Sequence, residues 1–192
     1  LGRTISAPSD DAFVQLTKAL LRFTRDNLLN ANWGEQISFR PDNSISIEMV
    51  FQGLTDDEAL QAWSEFDEFL NGSAEGFEQS EVRIVSAPAQ HWWDLEYRRA
   101  NLPKSIVEDT RPGAPPRFWW AGNGSEVGIY FSGYDSLWLS HELLLDEKLG
   151  DFAQSIIRAS RHYPVGLHLN KGLYGATEAR VEEARKTAIH PS

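Results

Sequence analysis

Residues 33–52, WGEQISFRPDNSISIEMVFQ, decide the fold that the sequence predicts. Two runs, 33–40 and 45–52, alternate apolar and polar residues and flank the segment PDNS at 41–44, a composition typical of a tight reversal. Successive side chains of a strand point to opposite faces. The stretch therefore predicts a β-hairpin with one apolar face and one polar face.

Helical and strand signals surround this hairpin. Apolar residues recur at helical spacing over about 10–30, over 59–70 behind the capping box TDDE at 55–58, and over 146–162. Further strands are predicted at 82–86, 118–121, 126–132 and 165–170, and a last helix at about 177–188. This order predicts an α+β fold: a mostly antiparallel β-sheet with helices packed on one face and the other face polar and open.

Composition limits the possible classes of protein. The chain has 192 residues, 41% of them apolar, which suits a single compact domain over 1–192. Its net charge of −10 argues against nucleic acid and against an anionic membrane surface as partners. The absence of cysteine excludes disulfides, thiol nucleophiles and cysteine-ligated metals. No long apolar stretch or signal peptide is present, so we expect a soluble, cytoplasmic chain.

Strand parity collects the candidate site residues on the face opposite the helices. Carboxylates, amides, a tyrosine and a histidine on one surface are suited to binding a polar substrate and moving protons. Solvent exposure of an antiparallel sheet explains such a face equally well. No histidine has the spacing of a metal site, so we expect no metal. The residues that parity places on this face are Gln36, Ser38, Arg40, Glu48, Gln52, Glu126, Tyr130, His168 and Asn170.

Six short segments carry a resemblance to a known family. Taken together and in this order, they resemble the C-terminal half of the berberine-bridge-enzyme-like FAD-linked oxidases, and the similarity spans roughly residues 15–192. Each segment alone is weak, and it is the combination that is specific. The segments are NWGEQ at 32–36, MVFQGL at 49–54, RPGAP at 111–115, WAGN at 120–123, GYDSLWL at 133–139 and LHLNKGL at 167–173.

The resemblance implies that this chain is the substrate-binding domain of a FAD-dependent oxidoreductase, which transfers a hydride from a small organic substrate to the flavin. FAD would be bound mainly by an N-terminal domain that this chain lacks, together with a closing C-terminal segment, so the isolated chain is expected to be inactive. The sheet would roof the flavin ring. Asn170, Lys171 and Gly172 are then expected to contact the cofactor.

The remaining roles combine strand parity with the resemblance. Glu48 and Tyr130 are the favoured proton acceptors, and Glu35 is a further candidate. The expected substrate-binding residues are Gln36, Gln52, His168 and Tyr134. A carboxylate among aromatic side chains would have its pKa raised by desolvation, toward a value useful for proton transfer.

A second hypothesis stays open at this point. The same periodicity suits a non-enzymatic α+β module that binds a small ligand, or that forms a homodimer through the open sheet face. The sequence names neither the substrate nor the electron acceptor.

Overall fold

A computed structural model of the chain describes residues 1–122, 137–170 and 177–186. These residues form two compact units. The sheet unit comprises Leu1–Ile84 and the described residues from Trp138 onward, and the inserted unit comprises the described residues between Val85 and Leu137. Each unit is described separately below.

The elements are numbered in chain order through both units. The strands are β1 (Gly2–Ser6), β2 (Trp33–Phe39), β3 (Ser44–Phe51), β4 (Glu78–Gln79), β5 (Ile106–Glu108), β6 (Phe118–Trp120) and β7 (Val165–Leu169). The helices are α1 (Asp10–Phe23), α2 (Asp56–Gln61), α3 (Ser64–Gly72), α4 (Leu95–Asn101), α5 (Asp146–Ser160) and α6 (Glu178–Arg185). A π-helical turn, Thr24–Leu28, continues α1, and short 3-10 helices cover Ala89–His91, Pro103–Ser105 and His141–Leu144.

The sheet unit contains one antiparallel sheet in the order β4-β1-β3-β2-β7. Its centre is the predicted hairpin, in which Ile37 lies opposite Ile47 and Phe39 lies opposite Ile45. The turn between the strands is stabilised by the carboxylate of Asp42, which accepts hydrogen bonds from the backbone N–H and the hydroxyl of Ser44 at 3.2 and 2.6 Å. The hairpin predicted over 33–52 is confirmed.

The hydrophobic core lies on one side of this sheet. Apolar residues of α1, α3 and α5, such as Leu16, Phe66 and Leu149, are buried there with Ile37 and Ile47. Ser9 caps α1 by accepting a hydrogen bond from the N–H of Ala12 at 3.1 Å. The amphipathic stripes of these helices thus meet the apolar face of the sheet, which confirms the α+β class.

Several predicted boundaries are wrong. The helix expected to reach residue 30 ends as an α-helix at Phe23, and the strand expected at 82–86 is reduced to an isolated bridge between Gly2 and Arg83. Strand β1 was not predicted, because Ile5 is its only large apolar residue and its place depends on pairing with β3. Strand β6 pairs with β5, and residues 126–132, the expected partner of 118–121, lie outside the described residues.

The inserted unit is organised around one buried cation. The guanidinium of Arg98 lies between the rings of Trp92 and Trp120, 4.5 and 4.4 Å from their centroids. Its Nε and Nη2 both donate to the carbonyl oxygen of Trp92, at 3.1 and 3.0 Å. Arg98 is fully buried, and burial lowers the pKa of its guanidinium. Two cation–π contacts and the Trp92 carbonyl thus replace water around this charge.

Candidate functional site

One row of polar side chains crosses three strands on the face opposite the helices. Gln36 on β2 lies directly opposite Glu48 on β3 and directly opposite His168 on β7. Directly opposed residues of an antiparallel pair have Cβ atoms about 4.5–5.5 Å apart. Glu48 and His168 are exposed and Gln36 is half-buried. The structure therefore brings together three of the predicted site residues, which we call the polar row.

A second row, one step along the strands, consists of small residues. Ser38 lies opposite Ser46 on one side and opposite Gly166 on the other, and Ser46 in turn lies opposite Thr4. Gln36 connects the two rows, since its Nε2 donates to Ser38 Oγ at 3.4 Å. We call Gly166, Ser38, Ser46 and Thr4 the small-residue shelf. Gly166 is exposed, Ser38 and Thr4 are half-buried, and Ser46 is buried.

The ring of His168 borders this shelf. A Cβ placed on Gly166 would lie 3.8 Å from Nε2 of His168 and 3.9 Å from Oγ of Ser38. The other ring nitrogen, Nδ1, lies 3.5 Å from Oε2 of Glu35. His168 therefore has one nitrogen beside a carboxylate and the other beside the shelf.

Glu35 reaches His168 through an unusual backbone conformation. The other odd-numbered residues of β2 are buried in the hydrophobic core: Trp33, Ile37 and Phe39. Glu35 has φ of +73°, although its pairing with Met49 and Leu169 keeps the register of both neighbouring strands. Left-handed backbone is unfavourable for a residue with a Cβ. Parity alone would place Glu35 with the core, and this conformation accompanies its contact with His168.

Asn170 is turned toward its own chain. Its Nδ2 donates to the carbonyl oxygens of Leu28 and Asn30, both at 3.0 Å, and to the carbonyl oxygen of Trp33. The backbone φ of Asn170 is +55°, a conformation that asparagine tolerates better than most residues. Its Oδ1 is buried and has no hydrogen-bond partner among the described residues. Asn170 was expected to contact the cofactor, but its side-chain N–H groups donate to carbonyl groups at and just before the start of β2.

Gln52 lies away from the polar row. It follows the end of β3, four residues beyond Glu48, and its Nε2 donates to the carbonyl oxygen of Ala31 at 2.9 Å. The backbone N–H of Gln52 also donates to the carbonyl oxygen of Asn32, at 2.9 Å. Its side chain therefore fastens the open end of the hairpin, whereas the prediction gave it a role in binding substrate.

Arg83 lies beside the polar row, and the sequence did not predict its presence there. Gly2 on β1 lies opposite Glu48, and a Cβ on Gly2 would lie 3.2 Å from Nη2 of Arg83. The exposed guanidinium thus stands at the end of the polar row where Glu48 lies. No local signal predicts this placement, because it requires the bridge between Gly2 and Arg83.

Several predicted residues cannot be placed. Tyr130, Tyr134, Lys171, Gly172 and Glu126 lie outside the described residues. Within the described ranges, no group of three or more histidine and acidic side chains is arranged to hold a metal ion. None of the helices described is both long enough and apolar enough to cross a membrane.

Known proteins give no guide to this site. Comparisons with protein-family profiles, with curated proteins and with solved structures found no match.

Proposed function

We propose that this chain is the substrate-binding part of a FAD-dependent oxidoreductase, whose open sheet face covers a flavin held by another domain. The observation that carries the proposal is the polar row beside the small-residue shelf, on the face opposite the core helices. The six segments that resemble the berberine-bridge-enzyme-like oxidases, spread in order along the chain, support the same function.

The shelf fits a planar ring better than it fits a phosphate. Gly166 has no side chain and the side chain of Ser38 is short, so a flat ring could approach the sheet closely at these two residues. The sequence has no G-x-G-x-x-G motif, and its net charge of −10 disfavours a diphosphate. This chain is thus suited to face the ring, and the nucleotide part of FAD would be held elsewhere.

Flavin, when bound, supplies the hydride acceptor, and this chain's residues would orient the substrate and take its proton. Gln36 offers both a donor and an acceptor, and it lies between two side chains that exchange protons, Glu48 and His168. Closure of the sheet over the ring would exclude water and strengthen these polar contacts. The sequence favoured Glu48 and Tyr130 as proton acceptors, and of these two only Glu48 lies among the described residues.

The test uses the full polypeptide that contains this chain together with its flavin domain. We expect a yellow protein whose flavin absorption bleaches under anaerobic conditions with members of a library of small alcohols, sugars and phenolic compounds. Gly166→Val should abolish bleaching, since the added methyl groups would occupy the shelf. Gly150→Ala is the matched control on α5, where a Cβ would meet nothing within 4 Å.

Two outcomes would count against the proposal. A full polypeptide that carries no flavin would exclude an oxidoreductase of this kind. A chain that self-associates, with Gly166→Val dissociating the dimer, would instead favour the dimerisation module. Analytical ultracentrifugation of the wild-type chain and of both glycine variants distinguishes these cases.

A further inference from the structure

The contacts of His168 differ at its two ring nitrogens. Nδ1 lies 3.5 Å from the carboxylate of Glu35, within ion-pair distance although long for a hydrogen bond. Nε2 lies beside the shelf, 3.8 Å from the position of a Cβ on Gly166. A carboxylate that accepts from Nδ1–H leaves the lone pair on Nε2, the tautomer required of a ring that accepts a proton there.

The backbone of Glu35 gives an independent reason to regard this pair as functional. Glu35 has φ of +73° in the middle of a strand whose register is continuous on both sides. Non-glycine residues in this region cost energy, and they cluster at sites where a side chain must be aimed. A glycine at position 35 would relieve the strain, whereas a glutamate retains it and contacts His168.

We propose that His168 accepts the substrate proton at Nε2 and that Glu35 is its positioning residue. The inference rests on the proposed function and deepens it, because it assigns the proton acceptor of that site to His168 in preference to Glu48. Glu48 lies in the same row, opposite Gln36 on one side and Gly2 on the other, and the Arg83 guanidinium stands at its end of the row. His168 is preferred because its Nδ1 lies beside the Glu35 carboxylate while its Nε2 borders the shelf.

The substrate class follows from this assignment. The substrate carries a hydroxyl or amine group on the carbon that is oxidised. The proton of its X–H bond would move to Nε2, and the hydride of its C–H bond would go to the bound flavin, which would supply the two-electron acceptor. The substrate would become the C=X product, and His168 would hold the proton as an imidazolium beside the Glu35 carboxylate.

The charged surroundings of His168 come from the neighbouring strands. Glu35 lies on β2, Glu48 lies on β3 beyond Gln36, and Arg40 follows the end of β2, one residue past Phe39. The carboxylate of Glu35 lies 3.5 Å from Nδ1 of the ring. It is therefore the group expected to stabilise the imidazolium most strongly, because charge interaction weakens with distance.

The first experiment reads the tautomer directly, without flavin. ¹⁵N NMR of the chain under mildly alkaline conditions should show His168 protonated at Nδ1, with the signal assigned by His168→Gln. Glu35→Ala should shift the ring toward the Nε2–H form. His91, whose Nδ1 lies 2.9 Å from Asp94 Oδ2 in the inserted unit, is the internal control and should not change.

The second experiment measures flavin reduction in a single turnover of the full polypeptide. His168→Gln should slow reduction by about 100-fold or more, the usual contribution of a general base, with little change in substrate affinity. Glu35→Ala should slow reduction by a smaller factor, because it removes the carboxylate beside Nδ1 and leaves the ring in place.

The outcomes separate the two proposals. If the wild-type flavin bleaches with substrate and His168→Gln reduces it at the wild-type rate, the acceptor role is wrong and the oxidoreductase function stands. The same holds if Glu48→Gln is slow while His168→Gln is not. An Nε2–H tautomer in the wild type would also overturn the pairing. A wild-type polypeptide without flavin would overturn the oxidoreductase function, and the acceptor role with it.

Discussion

Nδ2 of Asn170 lies 3.0 Å from the carbonyl oxygen of Asn30, a residue 140 positions earlier in the chain. The same nitrogen donates to the carbonyl oxygen of Leu28 at 3.0 Å and to that of Trp33. Since an amide group has two N–H bonds, the three carbonyls must share them. This contact fastens the end of β7 to the segment that leads into β2.

The first prediction concerns this contact. Asn170→Ala should lower the free energy of unfolding by about 2–4 kcal/mol, because it removes the side-chain hydrogen bonds to three part-buried carbonyl groups. Asn170→Asp should also be destabilising, since the carboxylate has no N–H to donate and its oxygens would face the backbone carbonyl oxygens. Urea unfolding measures both. Unchanged stability in Asn170→Ala would mean that the side chain is available to a ligand, as the resemblance to oxidases implied.

The second prediction concerns backbone strain at Glu35. Glu35→Gly should keep or raise the free energy of unfolding, by up to about 1 kcal/mol, because glycine adopts positive φ without steric cost. Glu35→Ala should give no such gain, since it keeps the Cβ. Asn43→Gly is the matched control, because Asn43 also has positive φ but lies in a turn. Urea unfolding of all three variants decides the matter. A loss above about 1 kcal/mol in Glu35→Gly would show that the carboxylate stabilises the sheet itself.

The third prediction concerns the inserted unit. Arg98→Ala should cost about 3 kcal/mol, because it opens a cavity between Trp92 and Trp120 and removes the donors of the Trp92 carbonyl. Arg98→Lys should also be destabilising, since an ammonium group lacks the planar stacking surface. The control is Arg99→Ala, which removes exposed ion pairs only and should have much the smaller effect. Near-UV circular dichroism of the tryptophans measures the unfolding of this unit. Equal losses of stability in Arg98→Ala and Arg99→Ala would contradict the stabilising role of the buried Arg98.

The fourth prediction concerns acid stability. Arg111, and then Arg117, hold the pKa of the buried Asp109 carboxyl well below its ordinary value. A depressed folded-state pKa contributes stability that is complete above the ordinary aspartate value of about 3.9 and is lost as the pH falls below it. The inserted unit should therefore unfold more easily as the pH is lowered from about 5 toward 2.

Asp109→Asn tests the cause of that pH dependence. The variant should be less stable than the wild type at pH 5 and should lose less stability on acidification, because an amide does not titrate. The NMR signals of the Trp92 and Trp120 indole N–H groups report on the inserted unit. Glu58→Gln, which removes a capping carboxylate from α2 in the sheet unit, should leave these signals unchanged. A wild-type acid profile in Asp109→Asn would assign the effect to another group.

The period-two pattern of 33–52 was sufficient to predict the central hairpin and its two faces. Together with the alternation over 165–170, it also placed Gln36, Glu48 and His168 on the same face, because alternation is a property of the strand itself and needs no distant contact. The register confirms that these three residues form one row.

Other features of the site could not be read from the sequence. Residue 35 has the parity of a core position, and only the left-handed backbone brings its carboxylate to His168. Arg83 reaches the polar row only because Gly2 bridges to it, and Asn170 turns inward only because the start of β2 lies beside the end of β7.

The sequence by itself therefore determined the central hairpin over 33–52, the α+β class and the polarity of each face of the sheet. Tertiary structure decided the order of the strands, the orientation of Asn170 and the partnership of Glu35 with His168. The physical reason is one of range. Side-chain alternation depends on neighbouring residues, whereas the place of β7 beside β2, the inward turn of Asn170 and the contact of Glu35 with His168 depend on segments more than a hundred residues apart.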